Sequence, residues 1–91
     1  MKFEWDPDKA SSNATKHGVD FAEASTVFRD PLELTIADPG HSIDEYRFIS
    51  LGRALSGRLV IVSYTERDQR IRIISAREAT PRERRQYEST N

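Results

Sequence analysis

Seven arginines fall between Arg67 and Tyr87, at positions 67, 70, 72, 77, 82, 84 and 85, half of the chain's 14 basic residues. A guanidinium is planar, always charged, and matched to two phosphate oxygens at once. Arginines gathered on one strand and one helix therefore point to a phosphate-binding surface. Only Asp68, Glu78 and Glu83 oppose the seven, leaving +4 over residues 67–85, whereas residues 1–66 carry seven positive and eleven negative side chains, or −4. The overall charge of −1 hides this split.

The chemistry such a surface supports without a metal is RNA cleavage. The 2′-OH of RNA attacks the adjacent phosphodiester when a base takes its proton, cations hold the charged phosphorus intermediate, and an acid protonates the leaving 5′-oxygen. Arg67, Arg72 and Arg77 are the candidates for phosphate contact. Glu83, Lys16 and His17 are the candidates for proton transfer. Tyr64 and Tyr87 are the candidates for stacking on a base or donating a hydrogen bond. Each also has a plain structural reading. Arg70 and Arg72 suit the solvated side of an amphipathic strand. Arg82, Arg84 and Arg85 suit a solvent-facing helix. Glu83 has the position of a helix-capping residue. His17 at a helix C-terminus favours the helix dipole.

Other chemistries are set aside. The chain has no cysteine, and His17 and His41 are its only histidines, so a protein-only zinc site is not expected. Four scattered glycines, Gly18, Gly40, Gly52 and Gly57, make no phosphate loop. Ser75 has no visible base for a nucleophilic role. No cofactor or metal is expected. No apolar leader or membrane-length run is visible, so a cytoplasmic location and no membrane partner are expected.

The elements must position these residues. At 91 residues the chain is expected to be one domain, 1–91. Lys2 to Trp5 alternates like a short strand. Asp6-Pro7 opens a helix that ends near His17 with Gly18 as its stop; Ala10 and Ala14 are its expected buried residues. Asp20 with Glu23 opens a second helix whose apolar face is Phe21, Ala24, Val27 and Phe28, ended by Asp30-Pro31. Strands are expected from Leu32 to Ala37, around Phe48, over Leu59–Val62 and over Arg70–Ile74. Turns fall at Asp38-Pro39-Gly40, Ser56-Gly57 and Asp68-Gln69, and His41 sits in the polar loop after the first. Ile74 breaks the alternation of the last strand and predicts a bulge near Ile73-Ile74. Thr80-Pro81-Arg82-Glu83 opens the C-terminal helix, and Ser89-Thr90-Asn91 read as a frayed tail. The fold class is α+β: a short N-terminal strand, two helices, a four-stranded antiparallel meander and a C-terminal helix. Two helices are expected to cover one sheet face and leave the other partly open, with the arginines on it.

Read together, these residues form a familiar pattern. Phe3-Glu4-Trp5-Asp6-Pro7, Asn13, Lys16-His17-Gly18-Val19, Phe21, Ala24, Phe28 and Asp30-Pro31 resemble the opening of the BrnT family. Glu45-Tyr46-Arg47, Leu51-Gly52, Arg72-Ile73-Ile74-Ser75-Ala76-Arg77, Ala79, Glu83-Arg84 and Tyr87 resemble the rest of its pattern. The resemblance covers nearly the whole chain. It implies a toxin of a bacterial type II toxin–antitoxin pair with a small RelE-like fold that cleaves RNA and blocks translation. It also implies neutralisation by a BrnA-type ribbon-helix-helix antitoxin in a complex that represses its own operon, usually as two toxins with two antitoxins, the toxin alone being a monomer or dimer.

The expected function is thus a metal-independent endoribonuclease toxin. Arg67 and Arg77 would bind phosphate and transition-state charge, with Glu83, Lys16 and His17 as proton-transfer candidates. The alternative is a catalytically silent module that holds a DNA-binding antitoxin and shapes operon repression.

Overall fold

The computed structural model describes residues 1–37 and 46–90. In chain order the elements are β1 (Lys2–Glu4), α1 (Pro7–His17), α2 (Phe21–Ser25), a 3-10 turn (Thr26–Arg29), β2 (Leu34–Ala37), β3 (Arg47–Arg53), β4 (Leu59–Arg67), β5 (Arg70–Glu78) and α3 (Pro81–Thr90). The expected turn at Asp38-Pro39-Gly40 and the loop holding His41 lie outside the described residues, as does Asn91.

The class is α+β as expected, but the sheet is not a meander of four. It holds five strands in the order β1-β5-β4-β3-β2. β2 to β5 pair antiparallel, while β1 joins beside β5 in parallel, Lys2 opposite Arg70 and Glu4 opposite Arg72. A parallel neighbour needs a long crossover. Here everything from α1 to β4 separates the pair, so nothing local in the sequence announces it.

β4 is the central strand, and its continuous apolar run is covered on both sides, as such runs require. Val60, Val62 and Tyr64 face a core shared with Phe21, Ala24 and Val27 of the α2 segment and with Ile71, Ile73 and Ala76 of β5. Leu59 and Ile61 face the opposite way, toward Leu51 and Tyr87. The first face is covered by α1, α2 and the 3-10 turn. Among the described residues the second carries only α3, at one end.

Three local devices set these positions. Asp20 accepts the Glu23 N–H at 2.6 Å and caps α2. The Glu23 carboxylate does not return to that cap. It takes the Arg58 guanidinium at 2.6 and 2.9 Å, tying α2 to the β3–β4 hairpin. Gly52 lets the 3-10 turn press onto β3, since a Cβ there would meet Val27 Cγ1 at 2.8 Å. Asp30 ends that turn by accepting the Arg53 N–H at 2.8 Å and the Tyr87 hydroxyl at 2.6 Å. It thereby fixes α3 to the sheet margin.

Two smaller expectations are corrected. Ala14 is exposed, and the buried residue of α1 is Asn13. Ser89 and Thr90 belong to α3, their hydroxyls bonded to the Gln86 carbonyl at 3.2 and 2.8 Å.

Candidate active site

The site begins with an asparagine in a helix that has few apolar residues to bury. Asn13 donates to the carbonyls of Val19 and Ala76 at 2.9 and 2.8 Å, and accepts the Ala76 N–H at 3.1 Å. β1 pairs only with residues 70–72 of β5, so the edge of β5 beyond it lacks a strand partner there. The Asn13 amide supplies both missing bonds and satisfies main-chain groups that would otherwise be buried unpaired. It also fixes the end of α1 against β5. Gly18, with φ 70°, then turns the chain away in the left-handed conformation that closes helices. Lys16 and His17, in that last turn, are set beside Ile74 and Ser75.

The second contribution is the bulge, which falls where the sequence placed it. Ser63 pairs with Ser75 but the next residue, Tyr64, pairs with Ile73, so Ile74 is the extra residue. Strand side chains alternate, so Arg72 and Arg77, five positions apart, belong on opposite faces of a regular strand. The inserted residue shifts the phase and puts both on the open face.

The third contribution is α3. Thr80 Oγ1 accepts the Glu83 N–H at 3.2 Å while Glu83 Oε1 accepts the Thr80 N–H at 2.9 Å, a reciprocal capping box. The same carboxylate receives Arg77 through two parallel bonds of 2.8 and 2.9 Å. The Arg77 guanidinium, helped by the Thr80 bonds, holds the Glu83 carboxyl at a pKa of about 2 against the opposing effect of burial. The Glu83 partner in turn raises the Arg77 pKa. A carboxylate this acidic is a poor proton carrier near neutrality. Both Glu83 carboxylate oxygens are instead taken up by the Arg77 guanidinium.

These three elements enclose a groove of about 390 Å³ on the open face. His17, Ser75, Arg77, Glu83 and Gln86 stand at one side; Leu34, Ile36, Ile49, Leu51, Ile61 and Ser63 form the rest. A concave, largely apolar site with a few convergent polar groups is the usual form of a ligand or active site. Among the described residues no group of three His, Cys, Asp or Glu side chains is placed to hold a metal ion. Nor is any helix there long and apolar enough to cross a membrane.

Residues 5–83 match the family model described as the ribonuclease toxin BrnT of type II toxin–antitoxin systems. This chain belongs to the BrnT family. The fold agrees: a solved structure of the Brucella abortus ribonuclease toxin BrnT matches with a TM-score of 0.65 at 25% identity, over 88% of this chain and 97% of that one. No curated protein matches the chain. A toxin of a type II system acts opposite an antitoxin, so membership implies such a partner for this BrnT-family chain.

The sequence-based candidates divide. His17, Arg77 and Glu83 meet at the groove, and Lys16 lines an adjoining cleft that shares His17 and Ser75 with it. Arg72 shares the face with Arg77 but bonds Glu4 at 2.9 Å and lies about 13 Å away along the sheet, four ladder steps at roughly 3.3 Å per residue. Arg67 pairs with Arg70 at the β4–β5 turn, about 20 Å from Arg77 by the same spacing. The three arginines therefore do not converge on one phosphate. Tyr64 is 4% exposed, on the face opposite Arg77, with its ring against Phe28 and Phe48. Its hydroxyl accepts from Ser50 at 3.1 Å, and burial pushes its pKa up. Tyr87 is 5% exposed and committed to Asp30. Neither ring is open to a base.

Sequence reasoning set Ser75 aside, named Asn13 only within the family pattern, and did not single out Ser63. For Asn13 one further signal was available: a polar residue at the centre of a helix whose neighbours give it nothing else to bury. Ser63 is found only through the strand register.

Proposed function

We propose that the chain is a metal-independent endoribonuclease toxin whose cleavage centre is the His17–Arg77 side of the groove. The observation that carries this reading is that His17, from the end of α1, lines the same groove as Arg77 and Glu83, from β5 and α3. Imidazole is the side chain that exchanges protons near neutral pH. His17 takes the proton from the 2′-OH, whose oxygen then attacks the adjacent phosphorus. Arg77, kept cationic and aimed by Glu83, holds the charge that develops on the phosphoryl oxygens. The bond from phosphorus to the 5′-oxygen breaks, and Lys16 returns a proton to that oxygen. The products are a 2′,3′-cyclic phosphate and a free 5′-OH. Arg72 contacts a flanking phosphate on the same face. Arg67 lies beyond reach of the centre and serves at most a more distant phosphate.

The biological role follows as part of the same proposal. Cleavage of cellular RNA blocks translation in the cytoplasm, in the manner of RelE-like toxins. The partner is a BrnA-type ribbon-helix-helix antitoxin in an assembly of two toxins and two antitoxins. A silent binding module is the second reading, and the engagement of Arg77 by Glu83 favours it, because a phosphate must compete with that carboxylate.

Induction of the wild type and of Arg77→Ala in bacteria separates these readings. The expected result is growth arrest with loss of bulk RNA for the wild type and normal growth for the variant. Equal arrest by both removes Arg77 from the mechanism. Normal growth with intact RNA for the wild type favours the silent module.

A further inference from the structure

The groove is larger than one phosphate needs, and most of its lining is the wrong chemistry for RNA. Leu34, Ile36, Ile49, Leu51 and Ile61 are aliphatic, and among the described residues no Phe, Tyr or Trp lines it, the one ring there being the His17 imidazole at its edge. Bases are held by stacking on aromatic rings or guanidinium planes, and the Arg77 guanidinium is already held by Glu83. Branched aliphatic floors instead receive the apolar side chains of proteins. The floor also reaches the margin of the sheet, because β2 is the outermost strand and its Ile36 is 60% exposed. The water-facing side of an antiparallel sheet is ordinarily polar, whereas among the described residues the half-covered face beside α3 presents these five aliphatic side chains.

Charge selects the occupant. The polar side of the groove carries the Arg77–Glu83 pair, whose charges cancel, and His17, with Lys16 on the adjoining cleft, and the strand and helix behind it belong to the +4 stretch of residues 67–85. A second copy docked groove to groove would bring the same positive stretch to the same place. We infer that the groove is the seat of the antitoxin, and that it receives a segment with apolar side chains for the Leu34–Ile36–Ile49–Ile61 floor and carboxylates for Lys16 and His17. This rests on the toxin–antitoxin reading above. A segment seated there covers Ser75 and Arg77, so binding and neutralisation are one event.

The test measures binding of a purified BrnA-type ribbon-helix-helix antitoxin, the partner proposed above, to four purified forms of the chain. They are the wild type, Ile36→Asp, Ser63→Trp and Leu55→Asp. Ile36→Asp removes an exposed apolar contact and adds a repelling charge, while Ser63→Trp fills the groove from its floor. Leu55 is 70% exposed in the β3–β4 turn and is the control. The first two variants are expected to weaken binding at least tenfold with the melting temperature of Ile36→Asp unchanged, and Leu55→Asp to bind as the wild type does. Wild-type affinity for Ile36→Asp and Ser63→Trp overturns the assignment. So does a loss of RNA cleavage or of self-association in those variants with antitoxin affinity intact, which gives the groove to RNA or to a second copy. A wild-type chain that binds no such protein overturns the toxin–antitoxin reading itself, and the groove assignment with it.

Discussion

Glu83 holds Arg77 through both carboxylate oxygens, at 2.8 and 2.9 Å, and with the same group caps the helix it belongs to. One side chain thus starts α3 and aims the cation of the candidate site. Replacing it with glutamine keeps most of the shape and removes the charge. Glu83→Gln is expected to lower stability by about 1–2 kcal/mol, since both partners keep some solvent contact. It should also reduce RNA cleavage roughly tenfold or more as the arginine loses its fixed direction. The pair also sets an acid limit. The Glu83 pKa falls from the usual 4.5 to about 2 in the folded chain. Its contribution is complete above pH 4.5 and is lost as the pH falls toward 2. Denaturant unfolding across that window should show a slope that flattens in Glu83→Gln.

Glu33 has the opposite sign. It is half-buried, its Oε2 has no hydrogen-bond partner among the described residues, and burial raises its pKa above the usual 4.5. A carboxyl that prefers its proton in the folded state weakens the fold as pH rises through its folded pKa. Glu33→Gln is therefore expected to stabilise the chain at neutral pH by about 0.5–1 kcal/mol and to be nearly neutral well below pH 4. Thermal unfolding of both forms at the two pH values checks this.

Asn13 makes three hydrogen bonds to main chain from a buried position. Asn13→Ala strands buried donors and acceptors at Val19 and Ala76. Stability should drop by about 2–4 kcal/mol. Because the same bonds dock the end of α1, activity measured where the variant is still folded should fall with it. A variant that loses the stability and keeps full activity would detach His17 from the site.

The Tyr87 hydroxyl bonds Asp30 at 2.6 Å, while the Tyr87 ring packs with Leu51, Leu59 and Ile61 under the Arg53 guanidinium. Tyr87→Phe retains the packing and removes the bond. It is expected to cost about 1–2 kcal/mol in urea unfolding without abolishing cleavage, whereas a residue that touched RNA would lose activity at unchanged stability.

The fold was largely legible where the signals are local. Capping residues placed all three helix starts, and the failure of alternation at Ile74 located the bulge. That bulge explains why Arg72 and Arg77 share a face, a relation that spacing alone would deny. The illegible parts depend on partners far along the chain. β1 pairs with a strand 68 residues away by register, Lys2 with Arg70. Asn13 finds Ala76 across 63 residues. As a type of side chain Tyr64 suits stacking on a base, yet its side chain alternates onto the helix-covered face. Arg67 and Arg77 belong to one run of arginines, and the extended length of β5 separates them.

The central claim is that His17 and Arg77 cleave RNA together, without a metal, at one side of the groove. It is tested most directly by incubating a purified RNA oligonucleotide with the wild type, His17→Ala, Arg77→Ala and Arg67→Ala in excess EDTA. The product ends are then analysed by mass spectrometry. The expected result is wild-type cleavage leaving 2′,3′-cyclic phosphate ends, losses of about 100-fold or more for His17→Ala and Arg77→Ala, and a several-fold change at most for Arg67→Ala. Cleavage that stops in EDTA, or that survives both His17→Ala and Arg77→Ala while failing in Arg67→Ala, would contradict it.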